Sequence, residues 1–378
     1  MNSLAVLIAV RHKARTATEL SRDLSISRTA IEEVVKDLQS LGWIVGSDGR
    51  GPGSGPGRPA KQYSFQPSVG HVAGIDIGVH SVSVRIANLL GESLGSARKA
   101  VRAEASVSER FEAVGDAAAL AATEANLAWG DVWVAGVAAP GVIDSSGAVR
   151  RYAGDGMPGW PGLDVRAGLS ELLGVPVLVE SDSTMAVIAE NWRGVAAGVE
   201  DVVFILSGNR TSAGLLLRGE PYRGSRGGAG LVGALPELGW SSAPDVLESL
   251  ASRDIEPTRE ALFAAAERGN PTAVSVLDKF AGALAKGIAA MALAVDPELI
   301  VLGGGVSRGG PTILEPVRNK LREAIGGEPR LELSMLGSEA TSIGAIRTAL
   351  LQVDANLHRF GRLAAGFPAP QRVLGSID

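Results

Sequence analysis

The stretch that decides the fold is HVAGIDIG at 71–78, followed by SVSVRIAN at 81–88. Residues 72–77 are nearly all apolar, the reading of a strand buried within a layered domain. Val82, Val84 and Ile86 then alternate with other residues, as along a strand with one covered face, and Gly91 supplies a turn. Working outward toward the C-terminus, helical and extended patterns take turns. A helix-compatible stretch at 107–128 leads to a strand at 132–137. A second strand, 175–179, ends at Glu180-Ser181-Asp182 and leads into a helix at 183–193. Strands at 202–206 and 213–217 follow, then a long helix at 272–295, a strand at 299–302, a glycine loop at 303–305 and a last helix at 341–351. Strands alternating with helices predict α/β layers.

Toward the N-terminus the pattern changes. An apolar stretch, 4–10, predicts a first helix. Thr16-Ala-Thr-Glu19 matches a capping box and opens a short helix to about Leu24, and Ser25-Ile26-Ser27 makes a turn in which Ser27 is a good N-cap. Ala30, Ile31, Val34, Val35, Leu38 and Leu41 fall on one face of the next helix, with Gly42 as its natural C′ residue. Two short strands, 43–45 and 62–65, flank a loop from Gly46 to Lys61 that holds six glycines and three prolines with Arg50, Arg58 and Lys61. Three helices and a two-stranded wing predict a winged helix-turn-helix over residues 1–66. Ser27, Arg28 and Thr29 stand at the N-terminal turn of its recognition helix, and Gly57-Arg58-Pro59 suits an arm that offers arginine to the minor groove. Glu32 and Glu33 on the same helix run against phosphate binding. The plainer alternatives are a three-helix protein-interaction module and a wing that is only a charged linker.

Composition agrees. The 378 residues are 46% hydrophobic and 20% charged, with no cysteine, enough for two or three domains. The net charge of −5 divides into +3 over residues 1–66 and −8 over the rest, a basic head on an acidic body. Without cysteine there is no disulfide framework, thiolate zinc site or cysteine nucleophile; histidines stand only at 12, 71, 80 and 358, so no metal site is expected. No apolar run reaches the ~20 residues of a membrane span. The apolar start runs directly into Arg11, Lys13 and Arg15, unlike a signal peptide, so the expected location is the cytoplasm.

Gly74-Ile75-Asp76-Ile77-Gly78, Ala139-Pro140-Gly141, Glu180-Ser181-Asp182 and Leu299-Ile300-Val301-Leu302-Gly303-Gly304-Gly305 stand in the order seen in the ROK family, which the chain resembles over nearly its whole length. Gly57-Arg58-Pro59-Ala60-Lys61 is similar to the linker of that family's repressors. The resemblance implies a two-lobed, actin-like (ribonuclease H-like) ATPase fold over 71–378, with a small lobe of about 71–185 plus the C-terminal helix and a large lobe of about 186–340. It also implies that Asp182 stands where the kinases keep their catalytic base. A bare helix cap is the structural alternative for that aspartate.

Several family positions are changed. The glycine-rich phosphate loop reads Gly208-Asn209-Arg210-Thr211-Ser212-Ala213-Gly214, and His80 replaces a small hydroxyl residue in the first phosphate turn. The family's Gly-Glu-Ile-Gly-His reads Gly230-Leu231-Val232-Gly233-Ala234, the Asn before the base is Ser181, and the zinc segment is reduced to 239–248, of which only Glu248 is kept. Each lost polar partner weakens sugar binding by ~1–3 kcal/mol. The expectation is therefore a DNA-binding regulator of the repressor type with a non-catalytic sensor. Its effector, a sugar or derivative, would contact Ser181, Asp182, Glu248 and Gly141. No cofactor is expected, and a homodimer or higher oligomer is expected on double-stranded operator DNA. The alternatives are an ATP-dependent sugar kinase with an accessory DNA-binding head, and a dimerisation scaffold without effector.

Overall fold

The computed structural model describes residues 2–48, 60–152, 156–208, 210–241, 258–327, 329–360 and 367–370. The head consists of α1 (Asn2–Val10), β1 (Arg15–Thr16), α2 (Ala17–Leu24), α3 (Arg28–Ser40), β2 (Ile44–Asp48) and β3 (Lys61–Phe65). The capping box forms: Thr16 Oγ1 accepts from the Glu19 amide while the Glu19 carboxylate accepts from the Thr16 amide at 2.7 Å. Ser27 caps α3 by accepting from the Ala30 amide, and Ile31, Val35 and Leu38 are buried along its inner face. Ala30, Val34 and Leu41 flank that face half-buried. The wing sheet has three strands in the order β1-β3-β2, because Arg15 and Thr16 pair with Tyr63 and Gln62. A two-residue strand leaves no alternation to read, and it was not expected.

The body continues with β4 (His71–Ile77), β5 (Ser81–Asn88), β6 (Ser93–Ala100), α4 (Val107–Glu124), β7 (Val132–Ala139), β8 (Val142–Ile143), β9 (Val149–Arg151), α5 (Val165–Leu173), β10 (Val177–Ser181) and α6 (Asp182–Arg193). Then come β11 (Val202–Ser207), β12 (Thr211–Leu217), β13 (Glu220–Pro221), α7 (Arg259–Glu267), α8 (Pro271–Val295), β14 (Leu299–Gly303), α9 (Pro311–Ile325), β15 (Leu331–Leu333) and α10 (Ala340–Phe360). One sheet has the order β10-β7-β4-β5-β6 and the other β13-β12-β11-β14-β15. In each, an antiparallel meander of three strands is extended by two parallel ones. The body is thus one unit built twice, the two-lobed actin-like architecture.

Both faces of each sheet are covered, which is why the central strands read as unbroken apolar runs. Ala73, Ile75 and Ile77 face a core shared with α4 and α5, while Val203, Ile205, Ile300 and Leu302 face α7, α8 and α9. Between the sheets run α6 and α10. They approach so closely that a Cβ on Gly344 would stand 1.8 Å from the Met185 carbonyl oxygen, and α10 lies so close on β7 that one on Gly136 would stand 2.0 Å from the Ala345 carbonyl oxygen. Glycine is required at both crossings.

The head shares a core with the body. Val6, Leu7, Val10, Trp43 and Phe65 are buried in one cluster with Trp133, Val353 and Leu357. Trp43 meets Trp133 edge-on at 6.2 Å and Phe367 at 5.8 Å, and its indole donates to the Pro368 carbonyl at 2.7 Å. Arg11, just past α1, pairs with Asp354 of α10 at 2.6 Å. Among the described residues no helix is long and apolar enough to cross a membrane.

Candidate effector cleft and DNA-reading face

The residues singled out in the first lobe converge where its strands end. Ser181 closes β10 and caps α6, its hydroxyl accepting from the Thr184 amide at 3.2 Å and lying 2.7 Å from the Thr184 hydroxyl. Sheet register sets Ser181 beside Ala139, so Gly141, two residues on and at φ +112°, lies at the same end. Asp182 is the first residue of α6 and its Oδ1 accepts from the Ser183 amide at 2.7 Å. The cap is Ser181, so capping does not account for the aspartate.

The electrostatics single out the same group. Desolvation by its enclosure pushes the Asp182 carboxyl up to about 7, and the charge of Asp76 adds to the effect. Asp76, at the end of β4, is pushed up to about 6 by burial, against the opposing pull of the Thr341 hydroxyl and Arg98. Two neighbouring carboxyl groups that resist ionisation form a site able to donate or accept hydrogen bonds near neutral pH. Beside them Glu180 reaches across to Arg223 at 2.6 Å, a bond between the first sheet and the loop that follows β13.

Leu231 precedes and Ala234 ends a 3-10 turn at Val232–Ala234, and Val232 packs against the core of the second lobe. Trp240 is buried and donates to the Leu284 carbonyl at 3.0 Å. Glu248 lies outside the described residues.

Two arginines that sequence reading passed over shape the loops. Buried Arg110 donates to the carbonyls of Gly78 at 2.6 Å and Val79 at 3.1 Å, holding the β4–β5 turn; His80 there is exposed. Arg259, the first residue of α7, donates to the Gly208 carbonyl, and its Nη1 would stand 3.0 Å from a Cβ on Gly305. Its guanidinium therefore spans from the loop after β11 to the loop after β14. Its buried Nε has no hydrogen-bond partner among the described residues, and burial lowers its pKa. From across the cleft, Arg210 lies over the ring of Tyr152 at 5.8 Å. Long-range bonds of this kind leave no local pattern; the only sequence signal for Arg259 was the helix start at Thr258, whose hydroxyl accepts from the Ala261 amide.

On the head, Ser27, Arg28 and Thr29 are all exposed at the start of α3. Arg28 Nε donates to Glu32 at 2.9 Å, so the acidic residue that ran against DNA binding is paired one turn away. Exposed Lys61 lies over Tyr63 at 5.7 Å. Arg50 and Arg58 lie outside the described residues.

Against known proteins, the ROK family profile matches residues 72–237 and 246–351. The chain is 21% identical to a xylose repressor of Caldicellulosiruptor bescii over 92% of this chain and 94% of that protein. It is 29% identical to a glucokinase of Halalkalibacterium halodurans over 55% of this chain and 73% of that one. Among solved structures, a ROK family transcriptional regulator, a homolog of the E. coli MLC protein, superposes with a TM-score of 0.68 at 19% identity, covering 92% of this chain and 96% of that one. A ROK family glucokinase from Streptomyces griseus, in complex with glucose and AMPPNP, covers 74% of this chain and 99% of its own, with a TM-score of 0.63 at 24% identity. The match to the family profile spans most of the body, and the chain belongs to the ROK family.

Proposed function

We propose that this chain is a transcriptional regulator of the repressor type, with residues 1–66 binding operator DNA and residues 71–378 serving as a sensor that does not transfer phosphate. The observation that carries the reading is the head itself: a winged helix-turn-helix whose recognition helix offers Ser27, Arg28 and Thr29 to solvent while its back is built into the core of the body. Likeness to a xylose repressor and to a regulator structure over 92% of the chain supports it. Arg50, Arg58 and Lys61 add phosphate and minor-groove contacts from the wing. Paired heads in a homodimer read two half-sites.

The effector, a sugar or derivative, binds at Ser181, Asp182, Gly141 and Glu248, in the cytoplasm. Asp182 opens α6, α6 crosses α10 at Gly344, and the far half of α10 packs on the head, so a ligand that moves α6 moves the head. Arg259 supports the absence of catalysis, because its guanidinium fills the space against Gly208, in the loop where ATP-using relatives keep small residues.

One observation favours the kinase reading: an aspartate carboxyl raised to about 7 is suited to general-base work. The two readings separate in paired assays. The expected results are salt-sensitive binding to an operator fragment selected from random DNA and no hexose-dependent ATP turnover with magnesium. Turnover that Asp182→Asn abolishes would overturn the non-catalytic reading, and failure to select any DNA sequence would overturn the regulator.

A further inference from the structure

The seam between head and body holds a cavity of about 180 Å³ that is separate from the effector cleft. Its walls come from both sides: Leu4, Leu7 and Phe65 from the head, Leu89, Val353 and Leu357 from the body. Phe65, Leu89, Val353 and Leu357 are at most 6% exposed and make a dry floor, while Ile8, at 50%, and His358 stand exposed at the mouth, which opens to solvent. A cavity of ~150 Å³ lined by leucine, isoleucine and phenylalanine stays empty of water and admits a benzene ring, and seams between domains are preferred ligand sites.

One polar group at the rim is incompletely used. Asp354 Oδ1 accepts from Arg11, while Oδ2 takes no hydrogen bond from the described residues. Arg11 is fully engaged, donating also to the Leu89 carbonyl at 3.0 Å and lying 5.8 Å from the Phe65 ring centroid. A ligand carboxylate would meet the charge of Asp354 directly, while Arg11 is engaged as above, Arg347 beside Asp354 lies over the Trp192 ring at 5.4 Å, and His358 stands at the exposed mouth. A hydroxyl or ring N–H would find an acceptor.

We propose that this cavity binds an uncharged small aromatic compound carrying one hydrogen-bond donor, of the phenol or indole class, with the ring among the leucines and the donor on Asp354. Because the occupant touches both halves of the seam, it stabilises the docked position of the head. The inference needs no sugar in the effector cleft and stands or falls apart from the regulator reading.

The test uses the full chain with phenol, indole, toluene and benzoate. Phenol and indole should raise the midpoint of thermal unfolding. At a concentration equal to Kd they should slow amide exchange in 4–11 and 353–358 by about twofold where exchange proceeds through undocking. Benzoate should not bind. Leu7→Trp fills the cavity and should abolish binding. Asp354→Asn is a second probe that leaves the packing in place: indole should weaken by about fivefold as a charged acceptor becomes neutral, while toluene is unchanged. No shift with either phenol or indole, binding undiminished in folded Leu7→Trp, or benzoate binding as tightly as indole would each overturn the proposal.

Discussion

Replacing Asp182 with asparagine should stabilise the ligand-free protein, and more so as pH rises. The native carboxyl has moved from 3.8 to about 7 because its enclosure penalises the charge and Asp76 repels it. Between those values the folded chain holds a proton that the unfolded chain has released, so native stability falls as pH rises through the window and levels off above it. Each tenfold change in acidity corresponds to ~1.4 kcal/mol, which sets the loss for an isolated group on the order of 4 kcal/mol by pH 8. About two of those tenfold steps lie above pH 5, so between pH 5 and pH 8 the loss is on the order of 2–3 kcal/mol. Asparagine keeps the side-chain oxygen that accepts from the Ser183 amide and cannot ionise. Urea unfolding at pH 5 and pH 8 is the assay: the variant's advantage should widen by about 2–3 kcal/mol between them. An advantage that is equal at both pH values, or a variant less stable than the parent at pH 8, would refute the assignment of the enclosed carboxyl.

Two further outcomes follow from packing and from the DNA-reading face. Gly344→Ala places a methyl group 1.8 Å from the Met185 carbonyl oxygen, against backbone, and should destabilise the chain by about 3 kcal/mol or more as α6 and α10 are forced apart, measured by the urea midpoint. Thr29→Ala should narrow the gap between operator and random DNA by ~1–3 kcal/mol, whereas Arg58→Ala should weaken both similarly and flatten the salt dependence by about one charge; fluorescence anisotropy across a salt series separates the two.

What could be read in the sequence, and what could not, divides by the range of the forces involved. The capping box at Thr16–Glu19, the Ser27 cap and the face of Ile31, Val35 and Leu38 were legible because neighbours within one turn determine them. The apolar run at 72–77 was legible because burial on both faces leaves Asp76 as its one polar position. The last helix was expected to end near 351, yet α10 runs to Phe360. Its extra turns carry Val353, Asp354 and Leu357, the residues that seat the head, and nothing nearby in sequence announces a partner more than 300 positions away. The same holds for Arg259 and Gly208, and for Glu180 and Arg223, bonds between distant loops that set the character of the cleft. Asp182 sits at the meeting of these two classes. Its position after a buried strand was readable, but its protonation is set by enclosure in the folded chain, to which Asp76 adds, more than 100 residues earlier and brought alongside by the parallel register of β4, β7 and β10. The helix that Asp182 opens crosses α10, and α10 seats the head. The fold thereby places a proton-sensitive group at one end of a packed path whose other end is the winged helix-turn-helix.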